Sequence, residues 1–160
     1  MINILFVCMG NICRSPSAEA VMNHVIKNAG LDDKIHCDSA GTIAYHEGEK
    51  ADARMQSHAV KRGYDLTSIA RKIRIKDFEA FDYIVTMDNA NYADVLAFDI
   101  DSLYSNKISR MTDYCTSHSD REVPDPYYGG PEGFEHVLDL LEDACKGLLE
   151  KIKKDHPELN

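Results

Sequence analysis

The most constraining feature of the sequence is a junction near its start. Ile2 to Val7 is a mostly apolar run of branched and aromatic side chains, too short for a buried helix and suited to a strand covered on both faces, as in a parallel sheet. It leads directly into Cys8-Met9-Gly10-Asn11-Ile12-Cys13-Arg14-Ser15-Pro16. Beyond Pro16 the period changes. Ala18, Val21, Met22, Val25, Ile26 and Ala29 recur at three- and four-residue steps, with Ser15 available as N-cap, Pro16 at the first helical position and Gly30 as the stop. Strand, small polar loop and helix in that order begin a doubly wound α/β unit, whose ligands bind outside the carboxyl ends of the strands.

The rest of the chain continues the alternation. Residues 35–40 read as a second strand, 41–50 as a loop, and 52–62 as a helix stopped by Gly63. Tyr83-Ile84-Val85-Thr86 forms a third buried strand. Asp88 or Asn89 then caps a helix running to about Phe98, and residues 107–111 supply a short last strand. Three prolines and three glycines between Arg121 and Gly133 exclude regular structure there. Phe134, Val137, Leu138, Leu141, Cys145, Leu148, Leu149 and Ile152 lie on one stripe of a C-terminal helix, where Cys145 serves as a small buried hydrophobe. The expectation is one α/β domain over residues 1–160: a short four-stranded parallel sheet flanked by helices on both faces, with the phosphate-binding loop after strand one.

Charge and cysteine usage exclude several classes. A net charge of −9 repels a nucleic-acid backbone, and no apolar run approaches the length of a membrane span. No basic segment precedes the first apolar run, so no export signal is expected. Five cysteines, at 8, 13, 37, 115 and 145, form no regular disulfide framework and point to a reducing compartment, the cytoplasm. The close pair Cys8 and Cys13 lacks the second Cys/His pair a zinc site needs, and the seven histidines show no ligand spacing, so no metal is expected.

The chemistry concentrates in the first loop. Unpaired amides and the positive end of a helix dipole favour an anion, and the same field favours the thiolate form of Cys8, the form that attacks. Gly10 and Asn11 are residue types that accept the left-handed conformations of a tight cradle. Arg14 adds a planar fork that can grip two phosphoryl oxygens, for which lysine would be a poor substitute. Ser15 has two candidate roles, donor to the Cys8 sulfur or simple N-cap. Cys13 is close enough for a reversible disulfide with Cys8, which would guard it from over-oxidation; otherwise it fills the underside of the loop.

Residues 7–16 resemble the signature loop of the low-molecular-weight protein tyrosine phosphatases. The likeness continues in Asp38-Ser39-Ala40-Gly41-Thr42, in Phe81-Asp82-Tyr83-Ile84-Val85 with Met87-Asp88, and in Asp125-Pro126-Tyr127-Tyr128-Gly129. The resemblance implies hydrolysis of phosphotyrosine and aryl phosphate monoesters through a phosphocysteine on Cys8. Arg14 and the loop residues Met9, Gly10, Asn11, Ile12, Cys13 and Ser15 would surround the phosphate, and Asp125, by itself an ordinary turn former before proline, becomes the general acid and base. Tyr127 and Tyr128 would wall an aryl group, with Tyr45 across the mouth. Ile12 resembles the residue of tyrosine-directed members, where phosphoarginine-directed ones carry threonine. The resemblance further implies a monomer that needs no cofactor, takes phosphotyrosine-containing proteins as substrates and releases inorganic phosphate. It also gives Asp88 a scaffold hydrogen bond, and Asn11 a brace from a serine, here Ser39, and from a histidine before a glycine, where this chain has Arg62 before Gly63.

Two other classes share such a loop. An arsenate reductase needs a resolving cysteine pair, and residues 86–92 contain no cysteine. A phosphopeptide-binding module would have no use for Asp125 beside a thiol and a guanidinium.

Overall fold

The computed structural model describes all 160 residues. Four strands, β1 (Ile2–Cys8), β2 (Ile35–Gly41), β3 (Tyr83–Thr86) and β4 (Ile108–Arg110), form one parallel sheet in the order β2-β1-β3-β4. Ile2 pairs with Ile35 and Cys8 with Gly41 on one side of β1, while Ile4 to Val7 pair with Tyr83 to Thr86 on the other. The chain leaves β1 to build β2 on one flank and then returns to build β3 on the opposite flank. The carboxyl end of β1 is therefore a topological switch point, where the two crossovers part and leave a crevice. Cys8 is the last residue of that strand.

The alternation along β1 divides the core. Ile2, Ile4, Phe6 and Cys8 face a cluster built with α1 (Arg14–Asn28) and α5 (Pro131–Asp155), whereas Leu5 and Val7 face α3 (Asp77–Ala80) and α4 (Asn89–Phe98) through Phe78 and Val95. Both faces of β1 are thus covered, which accounts for its near-continuous apolar sequence. α2 (Ala53–Val60) packs beside α5. In α5, Gly147 lies against the carbonyl of Tyr114, where any Cβ would overlap the oxygen. No helix is long and apolar enough to cross a membrane.

Several boundaries differ from the sequence reading. α1 begins at Arg14 rather than Pro16, with Cys13 as N-cap making no side-chain cap bond. Ser15 is therefore inside the first turn and is not the cap. Pro16 is tolerated there because the first amides of a helix have no intrahelical acceptor. α2 closes at Val60, and a turn carries the chain to Gly63, whose φ of 87° is left-handed. α3 is a single turn too short to leave a period in the sequence. The segment rich in proline and glycine ends at Gly130, because Pro131 occupies the first turn of α5 and Gly133 lies within that helix.

Candidate active site

The loop between β1 and α1 curls under a cavity of about 310 Å³ lined by Cys8, Met9, Gly10, Ile12, Cys13, Arg14, Ile43, Tyr45, His46, Asp125, Tyr127 and Tyr128. Ten of these twelve were singled out from sequence as site residues; Ile43 and His46 were not. Asn11 and Ser15, expected around the phosphate, do not line the cavity. They are buried beneath it at 1% and 0% exposure and act on the sulfur from below. Of the two residues expected to be left-handed, only Asn11 is, with φ of 58°. Gly10 is required for a different reason: a Cβ there would stand 3.0 Å from Cδ2 of His46, which lies over the loop.

Two donors converge on the Cys8 sulfur. The Asn11 amide donates to it at 3.3 Å, and the Ser15 hydroxyl lies 3.0 Å away. The direction of the second bond follows from its neighbours. The backbone N–H of Arg71 donates to Asn11 Oδ1 at 3.0 Å, which makes that atom the carbonyl oxygen and turns Nδ2 toward Ser15. Nδ2 then donates to Ser15 Oγ at 2.8 Å, so the serine proton goes elsewhere. Cys8 Sγ at 3.0 Å is a better acceptor position than the Ala40 carbonyl at 3.4 Å. The relay from Arg71 through Asn11 and Ser15 ends on the Cys8 sulfur.

This brace differs from the one expected. Ser39 does not reach Asn11 but donates to Glu19 Oε1 at 2.7 Å, and Arg62 is drawn away to Glu135, Asp139 and Glu142 on α5. Arg71 replaces them through its backbone, while its side chain is held by Asp38 and Asp77. No side-chain motif could have announced that contact. Burial pushes the Glu19 carboxyl up to about 7, opposed by the Ser39 hydroxyl and Arg71 and reinforced by Asp38. The folded state thus holds this proton more tightly than the unfolded chain, so stability is fullest below the ordinary carboxylate value of 4.5 and declines as pH rises toward about 7. With solvent screening the loss is about 1–2 kcal/mol. Glu19→Gln is expected to abolish that slope in urea-unfolding midpoints measured between pH 5 and 8; an unchanged slope would assign it to other groups.

Arg14 is 3% exposed and enters the cavity from the first turn of α1. Its Nη1 donates to Asp88 Oδ2 at 2.5 Å and to the Val123 carbonyl at 3.1 Å. Desolvation opposes its charge, but Cys8, Asp88 and Asp125 together outweigh that and hold the guanidinium above its ordinary value. Asp88 has two jobs with separate oxygens, accepting from the Asn91 amide as N-cap of α4 and fixing Arg14. Nη1 being engaged, Nη2 and Nε make no hydrogen bond, and Nη2 stands 3.9 Å from Asp125 Oδ2. Val123 thereby links the Asp125 segment to the arginine, and its own amide donates to the carbonyl of Met87, the residue after β3.

Asp125 lies at the rim with its side chain 36% exposed, and Oδ1 accepts from the Tyr127 amide at 3.0 Å. A thiol, a guanidinium and a carboxyl thus share one pocket whose floor is a loop at a helix N-terminus, an arrangement suited to transfer of a phosphoryl group onto sulfur. The sequence matches the family described as low molecular weight phosphotyrosine protein phosphatase over residues 3–158. The chain belongs to that family. It is a phosphatase of the low-molecular-weight type, and its similarity to solved members extends through the whole fold. The crystal structure of a protein tyrosine phosphatase from Entamoeba histolytica with Hepes in the active site is 51% identical, with a TM-score of 0.92, covering 97% of this chain and 99% of that one. A protein of Synechocystis sp. is 53% identical over 152 residues, 95% of this chain and 97% of its own. The crystal structure of a Drosophila arginine phosphatase is 31% identical with a TM-score of 0.87, covering 94% and 97% of the two chains.

Tyr45, Tyr127 and Tyr128 all border the cavity. Tyr127 and Tyr128 pack edge to face with centroids 4.9 Å apart, and Tyr45 meets His46 in the same manner at 4.8 Å. Tyr45 and Tyr128 are 82% and 91% exposed. His46 is oriented by Glu49, which lies 2.8 Å from Nδ1. Cys13 is buried, and that burial, with Asp52 and Cys8 nearby, pushes its thiol up and keeps it protonated at neutral pH. All five cysteines are free.

Proposed function

We propose that this phosphatase hydrolyses phosphotyrosine and other aryl phosphate monoesters through a phosphocysteine on Cys8. The observation that carries the reading is the convergence on Cys8 Sγ of two donors from below, in a pocket that presents Arg14 and Asp125 from two other elements. In the first step the thiolate attacks phosphorus. The S–P bond forms, the bond from phosphorus to the aryl oxygen breaks, and the Asp125 proton passes to that oxygen to release a phenol. In the second step water attacks phosphorus and gives a proton to Asp125. The S–P bond breaks, Cys8 returns as thiolate and inorganic phosphate leaves.

Arg14 and the loop amides stabilise the charge spread over the transferred oxygens, and Asp88 keeps the guanidinium aimed without reorganisation. Ser15 and Asn11 make the sulfur a better leaving group in the second step. Met9, Gly10, Ile12 and Cys13 shape the floor, and Tyr45, Tyr127 and Tyr128 hold the aryl ring. Cys13 is also the sulfur that would capture an oxidised Cys8, its thiol displacing water from the sulfenic acid to form a disulfide. The chemistry is that of a cytoplasmic monomer acting on phosphotyrosine-containing proteins.

Ile12 favours phosphotyrosine over phosphoarginine, the substrate class named for the Drosophila relative. Purified protein offered matched peptides bearing phosphotyrosine, phosphoserine or phosphoarginine is expected to turn over the first with kcat/KM at least about 100-fold higher, because only it fills the aromatic mouth. Equal or greater release of phosphate from phosphoarginine would overturn the substrate assignment while leaving the family intact.

A further inference from the structure

We infer that Arg54 is a positioning residue for Asp125, clamping the rim segment that carries the acid; the inference rests on the reading of Asp125 as the general acid. Residues 124–130 are poorly tethered. Their hydrogen bonds are local, Gly129 to the Pro126 carbonyl, Tyr127 to Asp125 and, at the junction with α5, Gly133 to the Gly130 carbonyl, and none reaches an element distant in the chain. Beyond Val123 the segment is held at the pocket by the Arg14 contact at 3.9 Å and by side-chain packing.

Arg54 supplies the directed part of that packing. Its guanidinium carbon stands 5.0 Å from the centroid of the Tyr127 ring and 5.1 Å from that of Phe134, so one cation joins the rim segment to the first turns of α5. The fork is itself held. Arg54 Nε donates to Asp52 Oδ1 at 3.2 Å and Nη2 to Oδ2 at 3.0 Å, while the same carboxylate caps α2 through the amides of Arg54 and Met55. The Asp52 amide donates to the Ile12 carbonyl at 2.8 Å. A continuous set of contacts therefore runs from the phosphate loop through Asp52 and Arg54 to Tyr127, and the Tyr127 amide holds Asp125 Oδ1 at 3.0 Å. Displacing the ring of Tyr127 moves the donor that orients the acid. Lysine could keep the charge but not the planar fork on Asp52 that sets the stacking angle.

The side chain of Arg54 is 49% exposed, so replacing it should leave the fold intact. Arg54→Met is expected to lower kcat/KM for phenyl phosphate by about tenfold, while 2,4-dinitrophenyl phosphate, which needs no proton to depart, changes by less than about twofold. Inhibition by inorganic phosphate should stay within about twofold, because the loop and Arg14 are untouched. Arg54→Lys should fall between wild type and Met, and thermal unfolding of both variants establishes that each is folded at the assay temperature. In an Asp125→Asn background Arg54→Met should add nothing further, as expected for two residues acting as one unit. An equal loss on both substrates would mean that Arg54 touches substrate or merely supports the fold, and the full tenfold effect persisting without Asp125 would also overturn the clamp. Failure of the underlying reading looks different: Asp125→Asn itself would then show no dependence on the leaving group.

Discussion

Replacing Cys8 by serine is expected to lower aryl phosphate turnover by on the order of 10⁴-fold or more while inorganic phosphate continues to bind. The proposed attack needs sulfur, and the relay from Arg71 ends on it. Asn11 N–H and Ser15 O–H both donate to it, at 3.3 and 3.0 Å, and a serine hydroxyl there stays neutral because its proton is far harder to remove than that of a thiol. Oxyanion binding depends on other groups, namely the loop amides and the free Nη2 and Nε of Arg14, whose Nη1 remains on Asp88. Serine takes away the thiolate that the proposed mechanism requires and leaves these groups in place, so phosphate affinity should hold or rise. Steady-state kinetics and titration calorimetry with phosphate check the two halves separately. A variant retaining activity within about tenfold of wild type would remove Cys8 as nucleophile.

Asp125→Asn should produce the second largest effect, and one that depends on the substrate. Asparagine keeps the size of the side chain and an oxygen for the Tyr127 amide, so the rim need not move, but it carries no transferable proton. Loss of general acid catalysis is expected to lower kcat/KM about 10²- to 10³-fold for phenyl phosphate and only a few-fold for dinitrophenyl phosphate. The relevant quantity is kcat/KM, since it reports the steps up to formation of the S–P bond, whereas kcat can be set by hydrolysis of the phosphoenzyme. A plot of log kcat/KM against leaving-group acidity should be shallow for wild type and steep for the variant. Parallel lines would take the acid role away from Asp125 and leave it a turn former.

The elements of the fold were legible where local spacing reports burial. The apolar residues of β1 alternate between two covered faces, and the stripe from Phe134 to Ile152 recurs on one side of α5, so both were readable without knowing what lay opposite. Boundaries were less so. Ser15 has the chemistry of an N-cap, and only the path of the loop reveals that α1 starts before it and that its hydroxyl turns to the sulfur. α3, one turn long, leaves no period to detect. Candidate site residues divide in the same way: Cys8, Arg14 and the residues between them follow one another along the chain, and the aromatic pair adjoins Asp125, so motif and resemblance together could name these residues of the cavity.

The sequence by itself determined that a thiol and a guanidinium meet at a strand-to-helix turn and that the surrounding chain supplies a parallel sheet to hold it, because those properties follow from neighbours in the chain. Tertiary structure decided which distant groups complete the site. Asp88 on Arg14, the Arg71 amide on Asn11, Ser39 on Glu19 and Arg54 over Tyr127 all join segments far apart in sequence. Such pairings depend on strand order and on where loops cross the switch point, and no periodicity encodes the direction of a backbone N–H arriving from another element.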